Sequence, residues 1–365
     1  MDLFSEHKYS WQTSPIMIGY RQSLFGYNSL KWDKRIEPVR YQEAKKNYVE
    51  TLELVSANAI NKFFALATAQ SNYDIASFNY ANADTLYRYA QGRYNIGTIT
   101  ENEMLQLELN RLTEETNRMN ARIEMDNCMQ ELRSYLGIQE EREIRVRVSS
   151  RIPNFSINLN EALALAYENS PDIQTMKRRK LESESAVARA RANAGLKADI
   201  YLRFGLTQTA DKLPEAYRNL LDQQYVSLSI SLPILDWGRG KGQVRVARSN
   251  RDLVYTQVEQ SRTDFELNVR KLVKQFNLQT QRVRIAARTD ETAQRRNEVA
   301  RKLYILGKST ILDLNASISE KDSARRNYVS ALYNYWSLYY TLRSMTLYDF
   351  ESNKLLTEDY NLLIE

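Results

Sequence analysis

No glycine occurs between Gly26 and Gly92 or between Gly242 and Gly307, and no proline follows Pro233. Such stretches have few ways to turn, since glycine supplies the left-handed conformations of tight turns and proline breaks helices. The whole chain holds 11 Gly and 6 Pro in 365 residues, about 5 % where an average chain carries about 12 %. Very long helices are therefore expected. At 1.5 Å per residue, a helix of about 65 residues reaches roughly 100 Å, longer than a compact core allows.

Several function classes fall away. The net charge is +6, but the signs alternate along the chain, so nucleic acid is not indicated. The one dense basic run, Lys177 to Lys180, is followed at once by Glu182 and Glu184 and reads as a solvated helix face. A single cysteine, Cys128, and a single histidine, His7, supply no internal disulfide, metal cluster or conventional triad. Gly238, Gly240 and Gly242 lie between a strand and a helix, yet their spacing fits neither a dinucleotide fingerprint nor a P-loop. They read as a flexible passage from sheet to helix, and no cofactor is expected.

The longest uncharged helical run, Asn327 to Leu342, contains five tyrosines and is too short and polar for a transmembrane helix. The N-terminal residues lack the basic and apolar regions of a secretion signal.

The chain matches itself at an offset of 210. Tyr94 pairs with Tyr304, Gly97 with Gly307, Thr100 with Thr310, and Leu132, Arg133 and Ser134 with Leu342, Arg343 and Ser344. Each copy starts with a strand. Val226, Leu228 and Ile230 alternate with Ser227, Ser229 and Ser231; Ile16, Ile18 and Tyr20 keep the same phase; Ile200, Leu202, Phe204 and Leu206 form a third strand with one wet face. In each copy a long helix then runs to a break at 94–100 or 304–310, and a returning helix of about 35 residues follows. Pro38 should mark the first turn of the first long helix or a kink.

In the second returning helix, Ile311, Leu314, Ile318, Tyr328, Leu332, Tyr335, Tyr339 and Leu342 follow three-and-four spacing. Ala316, Ser323, Ser330 and Ser337 recur every seventh residue, as a small-residue row for close helix pairing would. Thr100 with Glu103, and Thr310 with Asp313, fit the capping box, as Asn158 with Glu161 fits a helix start.

The segments FSINLNEALALAYENSPDI, LPILDWGRG, YNIGTITENEML and YILGKSTILDL, with SLFGYNSLKW as the first copy's junction, resemble the TolC-like outer-membrane efflux protein family over nearly the whole chain. The resemblance implies a mainly α fold with a small antiparallel β part: helical hairpins forming a tunnel wall, plus strands closing a barrel, in two repeats and as a homotrimer. It divides the chain into a loop and barrel strand (1–28), the two helices of repeat 1 (29–137), a charged equatorial linker (138–158), helices of repeat 2 (159–195), two barrel strands (196–236), the two helices of repeat 2 (237–348) and a tail (349–365).

It further implies an outer-membrane channel with a periplasmic tunnel, passive in export and not an enzyme. The expected partners are a periplasmic adaptor, an inner-membrane transporter and outer-membrane lipid. Glu103, Asp313 and Tyr304 become gate candidates, and Tyr94, Gly97, Thr100, Gly307 and Thr310 the tips on which an adaptor docks. The sequence departs from the pattern at Ala316, where the family has a second acid, and at Ser309, where it has an arginine. Set against the family pattern, the first copy is expected to lack a leading helix and strand, which would put Met1 between two strands, account for the missing signal and leave the Ile16 to Tyr20 strand without a sheet partner. A soluble coiled-coil scaffold is the alternative; it leaves the serine-alternating strand unexplained.

Overall fold

The computed structural model describes residues 10–139, 143–149, 152–153 and 155–356. His7, parts of the linker and residues 357–365 of the expected tail lie outside the described residues. The order is β1 (Trp11–Ser23), α1 (Ser29–Asn95), α2 (Glu101–Leu136), α3 (Leu159–Asn169), α4 (Pro171–Ala194), β2 (Lys197–Ala210), β3 (Leu221–Ser231), α5 (Arg239–Ile305), α6 (Ile311–Thr346), β4 (Tyr348–Asp349) and β5 (Lys354–Leu355). The fold is thus mainly helical with a small antiparallel sheet. α1 and α5 have 67 residues each, and α2 and α6 have 36 each. Pro38 lies in the third turn of α1, not the first, and the helix continues through it.

Two compact units are present, residues 1–43 with 174–263 and residues 44–173 with 264–365. The first holds a sheet of order β1-β2-β3, antiparallel throughout. Here one expectation is corrected: β1 does not lack a partner, since Ile18 faces Phe204 and Tyr20 faces Leu202. The apolar phases of the two strands coincide, and a one-residue slip would send every side chain to the wrong face. The register shifts between Thr13 and Ile16, where Pro15 has no amide to give the ladder. Gly205 permits the approach, because a Cβ there would stand 2.6 Å from the Ile16 carbonyl oxygen.

The glycine-rich junction before α5 is a fixed turn and not a flexible passage. Asp236 accepts from the amides of Gly238 (2.9 Å) and Gly240 (2.7 Å), and Trp237 and Gly238 both have positive φ. Those amides hold the Asp236 carboxyl below its ordinary pKa. The basic run is likewise not simply solvated. Arg178 donates from Nε to Glu43 at 2.6 Å and from Nη1 to Glu182 at 3.0 Å, and Lys180 pairs with Glu259 at 2.8 Å. Three helices are tied by residues whose spacing alone reads as surface.

In the second unit, Phe276, Tyr335 and Tyr339 are almost wholly buried, with Phe276 5.1 Å from Tyr335 and 5.5 Å from Phe155 between ring centroids. Burial pushes the Tyr335 hydroxyl up to about 12. Leu66, Ala69, Met125 and Leu132 form another core cluster. The small-residue row of α6 is one position off the expected one: Ser317, Ala324 and Ala331 are buried, whereas Ala316, Ser323 and Ser330 are exposed. One residue rotates a helix face by about 100°, and the seam follows Leu314, Tyr335 and Leu342. α1 supplies its own buried heptad row, Ala69, Ala76, Ala83 and Ala90.

The charged linker also contributes to packing. Ile144 and Val146 pack against the Leu66 cluster. Gln70 donates to the Ile144 carbonyl at 3.0 Å and accepts from the Val146 amide at 3.1 Å. Asn277 treats Ile157 the same way, at 2.9 Å for each bond.

Candidate functional site

The two interhelical turns of the second unit are built alike. Gly97 takes a φ of 75°, and its amide donates to the Tyr94 carbonyl at 2.9 Å while Thr98 donates to the Arg93 carbonyl at 2.9 Å. Gly307, with a φ of 69°, bonds to Tyr304 at 3.0 Å, and Lys308 to Leu303 at 2.9 Å. This closes the last carbonyls of each helix and requires a residue that accepts positive φ. Both following helices carry the full capping box, Thr100 with Glu103 and Thr310 with Asp313. Asp313 also accepts from Ser309 at 3.2 Å, and its hydrogen bonds, led by Thr310, hold its carboxyl below the ordinary range.

Between the turns lies a cleft of about 360 Å³. Of the predicted residues, Glu103, Tyr304, Gly307 and Thr310 line it, whereas Tyr94, Gly97, Thr100 and Asp313 do not. Asp313 is taken up by its own helix start. Burial raises the Tyr304 phenol, nearby Arg93 opposes that, and Glu103 adds to it. Arg93 also lines the cleft, and no motif marks it in the sequence. Its counterpart at the 210 offset is Leu303, so self-comparison hides it, although it also stacks over Tyr89 at 5.8 Å.

In the first unit the three strands place Ile16, Ile18 and Tyr20, Ile200, Leu202 and Phe204, and Val226, Leu228 and Ile230 on one face. That face is bare: Ile18 is 68 % exposed, Val226 66 % and Ile230 65 %. The opposite face carries Arg21, Lys197, Asp199, Tyr201, Arg203 and Tyr225 with Ser227 and Ser229. On the helices, Leu105, Leu109, Leu112, Met119 and Ile123 of α2 stand exposed at steps of three, four or seven, and Leu278, Ile285, Val299 and Leu303 of α5 at steps of seven, fourteen and four. No group of three or more metal-ligating side chains occurs among the described residues, and no helix among them is long and apolar enough to cross a membrane.

The family model described as outer membrane efflux protein matches residues 162–346. No curated protein sequence matches the chain. Among solved structures, the chain is similar to the CmeC outer membrane channel of Campylobacter jejuni, with a TM-score of 0.73 at 15 % identity over 98 % of this chain and 80 % of that one. It is similar to the outer membrane protein VceC of Vibrio cholerae, with a TM-score of 0.72 at 14 % identity over 93 % and 85 %. The open state of the MtrE outer membrane channel of Neisseria gonorrhoeae gives 0.70 at 14 % over 96 % and 82 %. At such identities the likeness speaks for the fold.

Proposed function

The chain belongs to the outer membrane efflux protein family, and on that premise we propose that it is the passive exit duct of a tripartite export system. The family consists of transport channels and not of enzymes. In this reading three copies close one barrel from their sheets, and the helical hairpins of two internal repeats form the tunnel below it in the periplasm. The hairpin turns around Gly97 and Gly307 meet a periplasmic adaptor joined to an inner-membrane transporter. Glu103, Asp313 and Tyr304 act at the narrow end, where carboxylates gathered by threefold symmetry attract cations and oppose anions.

The observation that carries the reading is the bare apolar face running across all three strands. Three strands cannot close a barrel, and lipid tolerates no unpaired strand edge, so the remaining edges call for other strands. The exposed α2 and α5 seams support self-association in the same way: each is an apolar stripe of coiled-coil type, and the two helices run in opposite directions within their hairpins. A second copy is the partner that offers both.

Expression followed by membrane fractionation, heat-modifiable gel mobility and planar-bilayer recording tests this. A membrane-bound oligomer with discrete conductance steps is expected. Recovery in the aqueous fraction without detergent would establish the coiled-coil scaffold instead.

A further inference from the structure

The polar face of the sheet carries more than wet serines. Its charged residues are Arg21, Lys197, Asp199 and Arg203, three cations against one carboxylate. Asp199 is taken by Arg21 at 3.7 Å. Among the described residues, Lys197 has no ion pair, and Arg203 has only an aromatic neighbour, its guanidinium lying 5.6 Å from the Tyr225 ring centroid. The Arg203 Nε is buried without a hydrogen-bond partner. A guanidinium so placed keeps its donors for something else.

The surroundings define what that is. Tyr201 meets Tyr225 edge to face, with centroids 6.2 Å apart. Opposite Arg203 on β1 stands Gly19, where a Cβ would lie 3.2 Å from the Tyr201 hydroxyl. The missing side chain lets the Tyr201 ring lie down across β1, and so a flat aromatic surface opens beside an uncompensated planar cation. On the β3 side, Ser227 and Ser229 add small hydroxyls and no bulk. Aromatic faces take planar rings by stacking, and a guanidinium takes a carboxylate or sulfonate through paired donors.

We propose that Arg203, Tyr225 and Tyr201, with Lys197 as a flanking cation, form a binding site for organic anions that carry an aromatic ring. Under the duct reading, on which this rests for its meaning, the site lies along the path of cargo and favours aromatic carboxylates and sulfonates over neutral or cationic aromatics. With three copies the same face surrounds the path with three such sites, and the field of six net positive charges raises the local concentration of anions.

The test is equilibrium dialysis of the whole chain, in lipid nanodiscs or in plain buffer if it stays aqueous, with 2-naphthalenesulfonate as probe, 2-naphthol as its neutral counterpart and empty discs as blank. Arg203→Gln should weaken naphthalenesulfonate binding about tenfold or more, as expected for losing a bond to a charged group, and leave 2-naphthol unchanged. Tyr225→Leu should weaken both. Lys197→Gln, whose side chain has no ion pair among the described residues, should give a smaller loss and serves if Arg203→Gln alters heat-modifiable mobility. Binding no greater than to empty discs, or equal in the wild type and both cation variants, overturns the site. Dialysis reads binding whether or not the chain conducts, so absent conductance with intact binding would sink the duct reading and leave this inference standing.

Discussion

Replacing Lys321 by methionine would strip a buried carboxylate of its cation. Lys321 and Asp322 sit in α6 with side chains 13 % and 8 % exposed, Nζ being 3.1 Å from Oδ1. Asn79 of α1 donates to the other carboxylate oxygen at 2.6 Å. Oδ1 itself has no hydrogen bond, so the lysine acts there as a charge and not as a directed donor. At 3.1 Å the attraction amounts to about 5 kcal/mol at an effective dielectric of about 20, offset by the cost of taking both ions from water. Lys321→Met removes the attraction but not the carboxylate's share of that cost. The expected destabilisation is about 3 kcal/mol, the lower end for a broken buried pair, since Asn79 remains.

Asp322→Asn keeps the Asn79 contact and lets the lysine reach solvent, so about 1 kcal/mol is expected. The double variant should also cost only about 1 kcal/mol, because no charge is then left buried. Pulse proteolysis of the solubilised chain in urea reads these values. With a slope of about 3 kcal/mol per M, Lys321→Met should lower the midpoint by about 1 M. A shift below about 0.3 M, or a double variant equal to the sum of the singles, would refute the claim that this pair is desolvated.

Neutralising Glu103 and Asp313 together should raise single-channel conductance with the oligomer intact; unchanged conductance would leave both acids only their capping role. Leu228→Arg, on the bare apolar face, should cost about 2–4 kcal/mol at a membrane midplane and reduce the membrane-bound fraction. Glu43, whose carboxyl is held below its ordinary value chiefly by Arg178, stabilises the first unit fully above the ordinary glutamate range. That contribution is lost as pH falls through the depressed value, so the midpoint of wild type should drop further on acidification than that of Glu43→Gln. Phe276→Ala should destabilise the second unit by about 3–5 kcal/mol in the same proteolysis assay, since the ring touches three other aromatics and the void cannot collapse.

The long helices, the turns and the strand phase were legible because each depends on local signals. Gly97 and Gly307 stop helices, Thr100 and Thr310 start them, and alternation sets the sheet face. Features decided by distant partners were not legible. Arg178 reads as surface until Glu43 is brought beside it. Ile144 and Val146 look like part of a charged linker until Gln70 grips their backbone. The small-residue row of α6 was misplaced by one position, because two heptad rows side by side are equally periodic and only the partner helix selects one. Arg93 escaped for a related reason: the cleft joins turns about 200 residues apart in sequence, and no spacing rule reaches so far.

The equal lengths of the paired helices, 67 with 67 and 36 with 36, restrict how such a chain can evolve. Deleting one heptad from α1 alone would draw the Gly97 turn back by about 10 Å, out of step with α2 and away from the Gly307 turn, and the cleft between the turns would vanish. Deleting a number other than seven would also rotate the buried Ala69 to Ala90 row out of its seam. The tolerated change is a heptad removed from, or added to, all four helices at once. Length in this architecture is therefore inherited in steps of 28 residues, an estimate that follows from the heptad repeat, and single insertions should be confined to the linker, the interstrand loop and the termini.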